Sequence, residues 1–350
     1  MERNISNHLT IAAVMNEWAV SIRFDHKESA ESIHKELKNH INAFDVETLI
    51  TYYLLESHHY LTRRDTEHSM LSLENAKEYA IHFNDTHRYF LHLAEGIFFY
   101  DKRDYQSALL YFEKAENYIE QLEDPVWIGE FHLRKAMTFY FLDVTNLSVL
   151  HAARAAKEFS SSDSLEFLLA RTEMLQGANH MDQLNYEPAE AFLLKALATF
   201  KKIGNQNYLS SANLNLGVLY TERDLPAAAI PYLNAALQGK QDRIKLKILY
   251  LLADCYWKTN QPSKAMEIYK EGFRISIEED NMIKKWEFAM LHKKHEDRLN
   301  FESVWQEGID YFHHVEDFYN VRVFSKELAH YYTEKKEYEL ALKYYLLTLK

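Results

Sequence analysis

The sequence predicts an all-α protein built from repeated helix pairs, and three observations support this fold class. The chain has 350 residues but only 8 Gly and 5 Pro, so few residues interrupt its helices. Hydrophobic residues make up 47% and aromatic residues 14%, which is enough for a large core. A pattern of small and aromatic residues also recurs every 37 to 41 residues, a period typical of solenoids of helix pairs.

The repeat is clearest at 102–119, where an aromatic residue stands three positions before an alanine and another stands four positions after it. Other clear copies occupy 184–200, 223–237, 260–273 and 335–349, and weaker copies occupy 144–159 and 299–312. The small positions are Ala108, Val149, Ala189, Ala228, Ala265, Val304 and Ala341. A small residue at a helix crossing lets the two axes approach closely. We therefore predict about seven helix pairs over 66–350, resembling tetratricopeptide repeats in a right-handed superhelix.

Residues 1–65 lack this pattern and predict three helices, at about 8–24, 28–43 and 46–63. The second helix carries an apolar stripe at Ala30, Ile33, Leu37 and Ile41, which is the spacing of one buried helix face. The predicted organisation is an N-terminal three-helix bundle over 1–65, followed by a solenoid over 66–350.

Composition excludes several classes of function. The net charge of −12 lacks the basic footprint of a protein that binds nucleic acid directly, although an acidic surface can meet a basic protein. The first residues lack the features of a signal peptide, and no apolar run approaches the 18 residues of a membrane span. Cys255 is the single cysteine, so no internal disulfide is possible. We expect a cytoplasmic protein without membrane contact.

No motif for a cofactor or metal is evident. The chain has no Gly-rich phosphate loop and no nucleophile elbow. His292 and His295 share a helix face, but two lysines separate them and no third ligand is apparent, so a solvated face is the simpler interpretation. We expect no cofactor and no metal, and we interpret Cys255 as a small buried residue.

The local motifs point to a family. "MNEWAVSIR" at 15–23, "YYLLESHH" at 52–59, "DKRDYQSALLYFEKAENYI" at 101–119 and "NLGVLY" at 215–220 resemble segments of the Rap family of Bacillus quorum-sensing regulators. The resemblance implies a protein that binds a response regulator or a transcription factor. It also implies a short imported Phr peptide that binds inside the solenoid and pulls the N-terminal bundle onto the repeats. Some members of the family are aspartyl-phosphate phosphatases.

The resemblance also locates the family's catalytic region. Phosphatase members use a glutamine that orients water at the phosphoaspartate. One alignment places Asp45 on the family aspartate and Val46 on the glutamine, whereas another places Glu47 there. Valine has no polar atom, and a glutamate carboxylate repels the phosphoryl group. No catalytic residue is therefore assigned with certainty among Asp45, Val46 and Glu47.

The same segment supplies the candidate target-binding residues, which are Asp45, Leu49, Tyr52, Glu56 and His59. The alternatives are an ordinary helix that packs on its neighbours, and a docking surface that survives without catalysis. The adjacent histidines His58 and His59 point about 100° apart on a helix and cannot easily share one ligand.

Peptide-binding candidates lie in the middle repeats. Asn179 and Asp182 are three residues apart on one helix face, and Asn215 begins the next "NLG" segment. These positions match those with which Rap proteins hold the peptide backbone. An asparagine offers a donor and an acceptor together, and Asp182 suits a basic peptide. Gln176, Tyr220 and Tyr250 are further candidates, while simple capping or solvated roles are the alternative.

The predicted function is that of a Rap-like regulator switched by a signalling peptide, with a response regulator or a transcription factor as its partner. One alternative is an active aspartyl-phosphate phosphatase in which another residue positions the water. A second alternative is a tetratricopeptide scaffold without a peptide switch. Such a scaffold would carry basic clamp residues in its groove, and Asp182 argues against that.

Overall fold

The computed structural model describes residues 8–122, 124–239, 242–296 and 300–349. Within these ranges the chain forms eighteen α-helices and no β-strand, which confirms the all-α prediction. It divides into two compact units, Met1–Ile203 and Gly204–Lys350. The boundary predicted near residue 65 is not the limit of either unit and stays a prediction.

The first unit contains helices α1 to α10. Their bounds are α1 (His8–Arg23), α2 (Lys27–Lys38), α3 (Val46–Thr62), α4 (Thr66–Lys77), α5 (Asp85–Asp101), α6 (Tyr105–Glu116), α7 (Pro125–Phe141), α8 (Thr145–Phe159), α9 (Glu166–Asp182) and α10 (Tyr186–Ile203). The three predicted N-terminal helices are present, although the second ends early and a short 3₁₀ segment follows at Ile41–Ala43. Helices α1, α2 and α3 share one core around Trp18, Leu37 and Tyr52, all fully buried.

The second unit contains helices α11 to α18. Their bounds are α11 (Gln206–Glu222), α12 (Pro226–Leu237), α13 (Asp242–Lys258), α14 (Pro262–Glu278), α15 (Met282–His295), α16 (Phe301–His314), α17 (Phe318–Glu334) and α18 (Tyr338–Leu347). One core forms on α11 to α14, and Cys255 lies within it as predicted. Another core forms mainly on α16 to α18. None of the helices in the described ranges is long and apolar enough to cross a bilayer.

A short turn joins α3 to α4, and another joins α5 to α6. The second residue after the first helix adopts a left-handed conformation, at Arg64 and at Arg103 with φ of 63° at both. The next N–H then bonds to the carbonyl five residues earlier, as from Asp65 to Tyr60 at 3.0 Å. This is the Schellman arrangement, which satisfies carbonyls at the end of the first helix. Asp65 also caps the second helix by accepting a hydrogen bond from the His68 N–H, so helix end and helix start are adjacent.

The predicted small positions are only partly correct. Ala108, Ala189 and Ala265 are fully buried at helix crossings, and Ala341 is nearly so. Val149, Ala228 and Val304 are half-buried. The fully buried positions beside them are Ser148, Ala229 and Trp305. In these three repeats the predicted small position is one residue away from the buried position. The buried position depends on the turn before the helix, and the residues of that turn differ among the repeats.

Glycine permits the closest helix approach in the first unit. Gly96 on α5 faces the ring of Phe112 on α6, and a Cβ at Gly96 would lie 2.4 Å from that ring. Phe112 is itself fully buried, so its ring has no free space to enter. A side chain at position 96 would therefore push the two helices apart.

We expect Gly96→Val to lower the free energy of unfolding by about 2–4 kcal/mol, because overpacking the α5–α6 crossing outweighs any gain in helix propensity. Urea unfolding followed by circular dichroism would measure the change. Stability equal to that of the wild type would mean that α5 and α6 do not meet at Gly96.

Candidate functional site

The start of α3 carries the residues predicted at the catalytic position. The Asp45 carboxylate caps the helix by accepting a hydrogen bond from the Thr48 N–H at 2.8 Å. Val46 is the first helical residue and is 41% exposed, and Glu47 beside it is exposed. The three residues are thus adjacent and accessible. Val46 and Glu47 bring no neutral amide to this point, so neither side chain can hold a water as glutamine does.

The other target-binding candidates lie deeper along the same helix. Leu49 is half-buried, whereas Tyr52, Glu56 and His59 are enclosed between α1, α2 and α3. Direct contact of these three side chains with a partner would require the helices to separate. Sequence periodicity could not predict this, because the polar groups are satisfied by partners on other helices.

Glu56 is the centre of a buried hydrogen-bond network. One carboxylate oxygen lies 2.8 Å from His34 Nε2 and accepts a hydrogen bond from the Tyr52 hydroxyl at 2.8 Å. The other accepts from the Ser72 hydroxyl at 2.9 Å. Burial alone would raise the pKa of Glu56, but the hydrogen bonds from His34, Tyr52 and Ser72 outweigh burial and lower it. The carboxylate stays charged and holds α2, α3 and α4 together.

His58 and His59 face different surroundings, as predicted from their spacing. The His59 ring lies 5.6 Å from Trp18, and its Nε2 is 3.3 Å from a Glu31 carboxylate oxygen. The His58 ring instead approaches Trp127 on α7 at 6.5 Å. Burial lowers the pKa of each histidine to about 4, so both imidazoles are neutral at pH 7.

A charged cluster on α7 meets the end of α1. The guanidinium of Arg23 lies 3.9 Å above the Trp127 ring, a cation–π contact. Glu130 accepts a hydrogen bond from Arg134 at 2.9 Å and lies 3.6 Å from Arg171 on α9. Burial would raise the pKa of Glu130, but Arg171, Arg134 and Arg23 lower it to about 2. The end of α1 is therefore held on α7 by stacking and by charge.

Three peptide-binding candidates share one face of α9. Asn179 is fully buried, and neither its side-chain oxygen nor its nitrogen has a hydrogen-bond partner among the described residues. Gln176, one turn earlier, is half-buried, and Asp182, one turn later, is exposed. Burial of part of the Asp182 carboxylate and the charge of Asp143 raise its pKa. Asn179 is thus a polar group with unused bonding capacity.

The remaining candidates lie in the second unit. Asn215 is half-buried on α11, and the half-buried Tyr220 ring stacks on Tyr232 at 5.4 Å. Tyr250 on α13 lies 5.9 Å from the Phe288 ring. Burial, then the charges of Glu327 and Asp254, raise the pKa of Tyr250, so its hydroxyl stays protonated. These side chains offer neutral hydrogen-bonding groups.

The interpretation of His292 and His295 as a solvated face is wrong. His292 stacks on Tyr269 at 4.8 Å, and His295 stacks on Trp257 at 5.0 Å. His295 Nε2 also lies 2.8 Å from the Asp254 carboxylate. The two histidines interact with aromatic rings and an acid on other helices, which their spacing along α15 could not reveal.

A group of side chains with the chemistry of a metal site was not predicted from the sequence. Glu31, His34 and His59 each offer one ligand atom, and these atoms lie within 4.8 Å of one another. The signal available in the sequence was a Glu-x-x-His spacing that occurs twice, at 31–34 and at 56–59.

Protonation of His58 gives a testable pH dependence. Its pKa is about 4 in the folded chain, against the usual 6.5, so the unfolded chain binds more protons between pH 6.5 and 4. Stability therefore falls as the pH falls through this window. Between pH 7 and pH 5 we expect the free energy of unfolding of His58→Gln to fall by about 1–2 kcal/mol less than that of the wild type.

Urea unfolding at pH 7 and pH 5 measures this difference. His68→Gln is the matched control, because His68 is exposed on α4. If the pH dependence of His58→Gln equals that of the wild type, His58 is not buried in its neutral form.

Comparison with known proteins supports the resemblance drawn from the motifs. A family model described as tetratricopeptide repeat matches residues 220–274. The chain is 25% identical to response regulator aspartate phosphatase A of Bacillus subtilis (strain 168), covering 95% of this chain and 91% of that protein. It is 23% identical to the regulatory protein RapG of the same organism, covering 95% and 96%.

A solved structure agrees with these relatives. The crystal structure of a Rap protein complexed with competence and sporulation factor superposes with a TM-score of 0.80 at 19% identity, covering 97% of this chain and 96% of that chain. At such identity the likeness establishes the helical fold. The relatives and the fold together confirm the resemblance predicted from the sequence: this chain is a divergent relative of the Rap proteins.

Proposed function

We propose that this chain is a peptide-regulated adaptor. Its N-terminal helices bind a response regulator or a transcription factor, and polar side chains on α9 bind a short signalling peptide. The observation that carries the proposal is Asn179, which is fully buried with both amide atoms unpartnered among the described residues. A buried polar group without a partner costs about 1–3 kcal/mol, so a ligand that satisfies it gains that energy once the side chains that cover Asn179 move aside.

A peptide backbone suits Asn179 chemically. Each peptide unit presents one N–H donor and one C=O acceptor, and the asparagine amide presents the complementary pair. Asp182, exposed one turn further along α9, supplies a negative charge for an arginine or lysine of the peptide. The net charge of −12 also favours a basic peptide over an acidic one.

The named relatives agree with both parts of the proposal. One is named a response regulator aspartate phosphatase, so that relative acts on a response regulator, and another is named a regulatory protein. A Rap protein of similar fold was crystallised with competence and sporulation factor. Peptide binding by this chain is inferred from these relatives together with the chemistry of α9.

Coupling between peptide and partner can run through the first unit. The end of α1 rests on α7 through Arg23 and Trp127, and the Phe24 ring lies 6.0 Å from Phe167 on α9. A peptide bound on α9 therefore lies on a helix that α1 also contacts. If the peptide binds more tightly to the arrangement in which α1 rests on α7 and α9, the peptide shifts the population toward that arrangement. Surface on the N-terminal helices would then become unavailable to the partner.

Phosphatase catalysis is a less favoured function for this chain than binding. Val46 and Glu47 occupy the start of α3 without a neutral amide, which favours binding over phosphoryl hydrolysis. An active aspartyl-phosphate phosphatase remains the second candidate function, because a relative bears that name. A scaffold without a peptide switch is the third, and the acidic Asp182 opposes it.

Asn179→Leu should change stability and peptide binding in opposite directions. Leucine has the same branched outline as asparagine, with methyl groups in place of both unpartnered polar atoms, so we expect the free energy of unfolding to rise by about 1 kcal/mol. The same change should weaken peptide binding at least tenfold. Fluorescence anisotropy would measure binding, with competence and sporulation factor and with short synthetic peptides that carry one arginine or lysine.

Asn213→Leu is the matched control. Asn213 is buried on α11, but its side chain donates a hydrogen bond to the Leu209 carbonyl at 2.9 Å. This variant should gain no stability. Peptide binding that survives Asn179→Leu unchanged would contradict the assigned anchor, and a wild type that binds none of the peptides would contradict the switch.

Phosphatase activity is tested at the start of α3. We expect the wild type to leave the decay of phosphoryl-aspartate on a sporulation-type response regulator unchanged. Val46→Gln and Glu47→Gln each supply the missing amide in one of the two alignments, and one of them should accelerate the decay at least tenfold if the docking surface is intact.

The four outcomes are distinct. Acceleration by the wild type would make the protein an enzyme and overturn the assignment as a binder. Acceleration by one variant alone would identify the alignment and support docking without catalysis. If no form accelerates decay but the regulator still binds in pull-down, the adaptor role stands. If neither accelerated decay nor binding is observed, the response regulator used in the test is not the partner.

A further inference from the structure

Two Glu-x-x-His segments meet between α2 and α3. Glu31 and His34 lie on α2, and Glu56 and His59 lie on α3. Residues three apart on a helix share one face, so each segment directs a carboxylate and an imidazole to the same side. Paired Glu-x-x-His segments on facing helices also build the metal centres of several helical bundles.

The two segments pair crosswise. His34 Nε2 lies 2.8 Å from a Glu56 oxygen, and His59 Nε2 lies 3.3 Å from a Glu31 oxygen. The two imidazole rings are 4.7 Å apart. Each carboxylate therefore meets the histidine of the other helix, and Glu31, His34 and His59 each bring one ligand atom to the same place.

The surroundings of the four side chains exclude water on one side. The Trp18 ring stacks on His34 at 5.3 Å and approaches His59 at 5.6 Å. His34, Glu56 and His59 are each more than nine-tenths buried. The Nδ1 atom of His59 is also buried without a hydrogen-bond partner in the described residues.

The donor set suits a divalent transition-metal ion. Two imidazoles, which bind metal ions in their neutral form, and the Glu31 carboxylate supply nitrogen and oxygen ligands, and a water molecule can complete the coordination of Zn²⁺. Tetrahedral Zn²⁺ with bonds of about 2.0–2.1 Å places neighbouring ligand atoms about 3.3 Å apart. The separation between His59 Nε2 and the Glu31 oxygen is already 3.3 Å, and the ligand atoms of Glu31, His34 and His59 all lie within 4.8 Å of one another.

We propose that Glu31, His34 and His59 form a Zn²⁺ site that fastens α2 to α3. Glu56 lies beside the site, where Tyr52 and Ser72 bond to it and its carboxylate contacts His34. Arg63 lies 2.7 Å from Glu31, on the exposed side, and it gives up this ion pair when the metal binds. The ion replaces the shared protons and the ion pair as the link between the helices.

The experiment uses the full chain after treatment with a chelator. Isothermal titration with Zn²⁺ should show one ion per chain with a dissociation constant in the micromolar range or below. Co²⁺ should give the visible absorption of a tetrahedral site. Zn²⁺ should also raise the melting temperature of the wild type in proportion to the logarithm of its concentration.

His34→Gln and His59→Gln should each weaken binding at least tenfold, as should Glu31→Gln. Glu31 is partly exposed, so its variant should fold even if a histidine variant does not. His68→Gln is the matched control, because His68 and Asp65 also form a histidine–carboxylate pair at 2.7 Å but lie on the surface of α4. Its affinity should equal that of the wild type.

Other outcomes overturn the site. A wild type that binds no Zn²⁺ would leave the four side chains as a hydrogen-bond network alone. Affinity unchanged in Glu31→Gln and in both folded histidine variants would place the ion elsewhere. Equal loss in His68→Gln would show adventitious binding by surface histidines.

Discussion

The close contact between the two helices of each pair is the constraint on which the rest of this structure depends. A short turn leaves little length between the helices, so their facing residues must be small or must interlock. Gly96 against Phe112 in the first unit and Gly217 against Leu233 in the second show the same solution. With the two helices this close, their faces outside the contact form regular surfaces, and these surfaces carry the larger side chains and the polar networks.

Polar groups inside the protein fall into two kinds. Glu56, Glu130 and Asp254 are buried carboxylates surrounded by donors or positive charges, and the pKa of each is lowered despite burial. They hold helices together because separating them would leave a charge without its partners. Asn179 is different, since its amide is buried with nothing to bond among the described residues. Other buried side chains in the described ranges, such as that of His59, leave one polar atom without a partner, whereas Asn179 leaves both, and the peptide proposal therefore rests on α9.

Much of the fold followed from sequence, because helix caps, apolar periodicity and the recurring alanines are local signals. Asp45 before α3 and the stripe at Ala30, Ile33 and Leu37 on α2 are examples. The register of Val149, Ala228 and Val304 did not follow, since it depends on the turn before each helix. Nor did the burial of Glu56 and His59, whose partners are distant in sequence. Polar contacts between residues that are distant in sequence produce no periodic pattern, so the sites built from such contacts are visible only in the structure.

The left-handed turns have a consequence for how such a protein evolves. In the described chain ten of these turn residues are not glycine, and they include arginine, leucine, glutamate and lysine as well as aspartate and asparagine. A left-handed residue other than glycine costs about 1–2 kcal/mol, less for asparagine and aspartate, and the Schellman bonds and the helix cap offset that cost. Because main-chain bonds define the turn, substitutions at these positions accumulate without changing the connection. Lineages can therefore drift far apart in sequence, each adapting its exposed faces to a different partner and signal, while the helical framework persists.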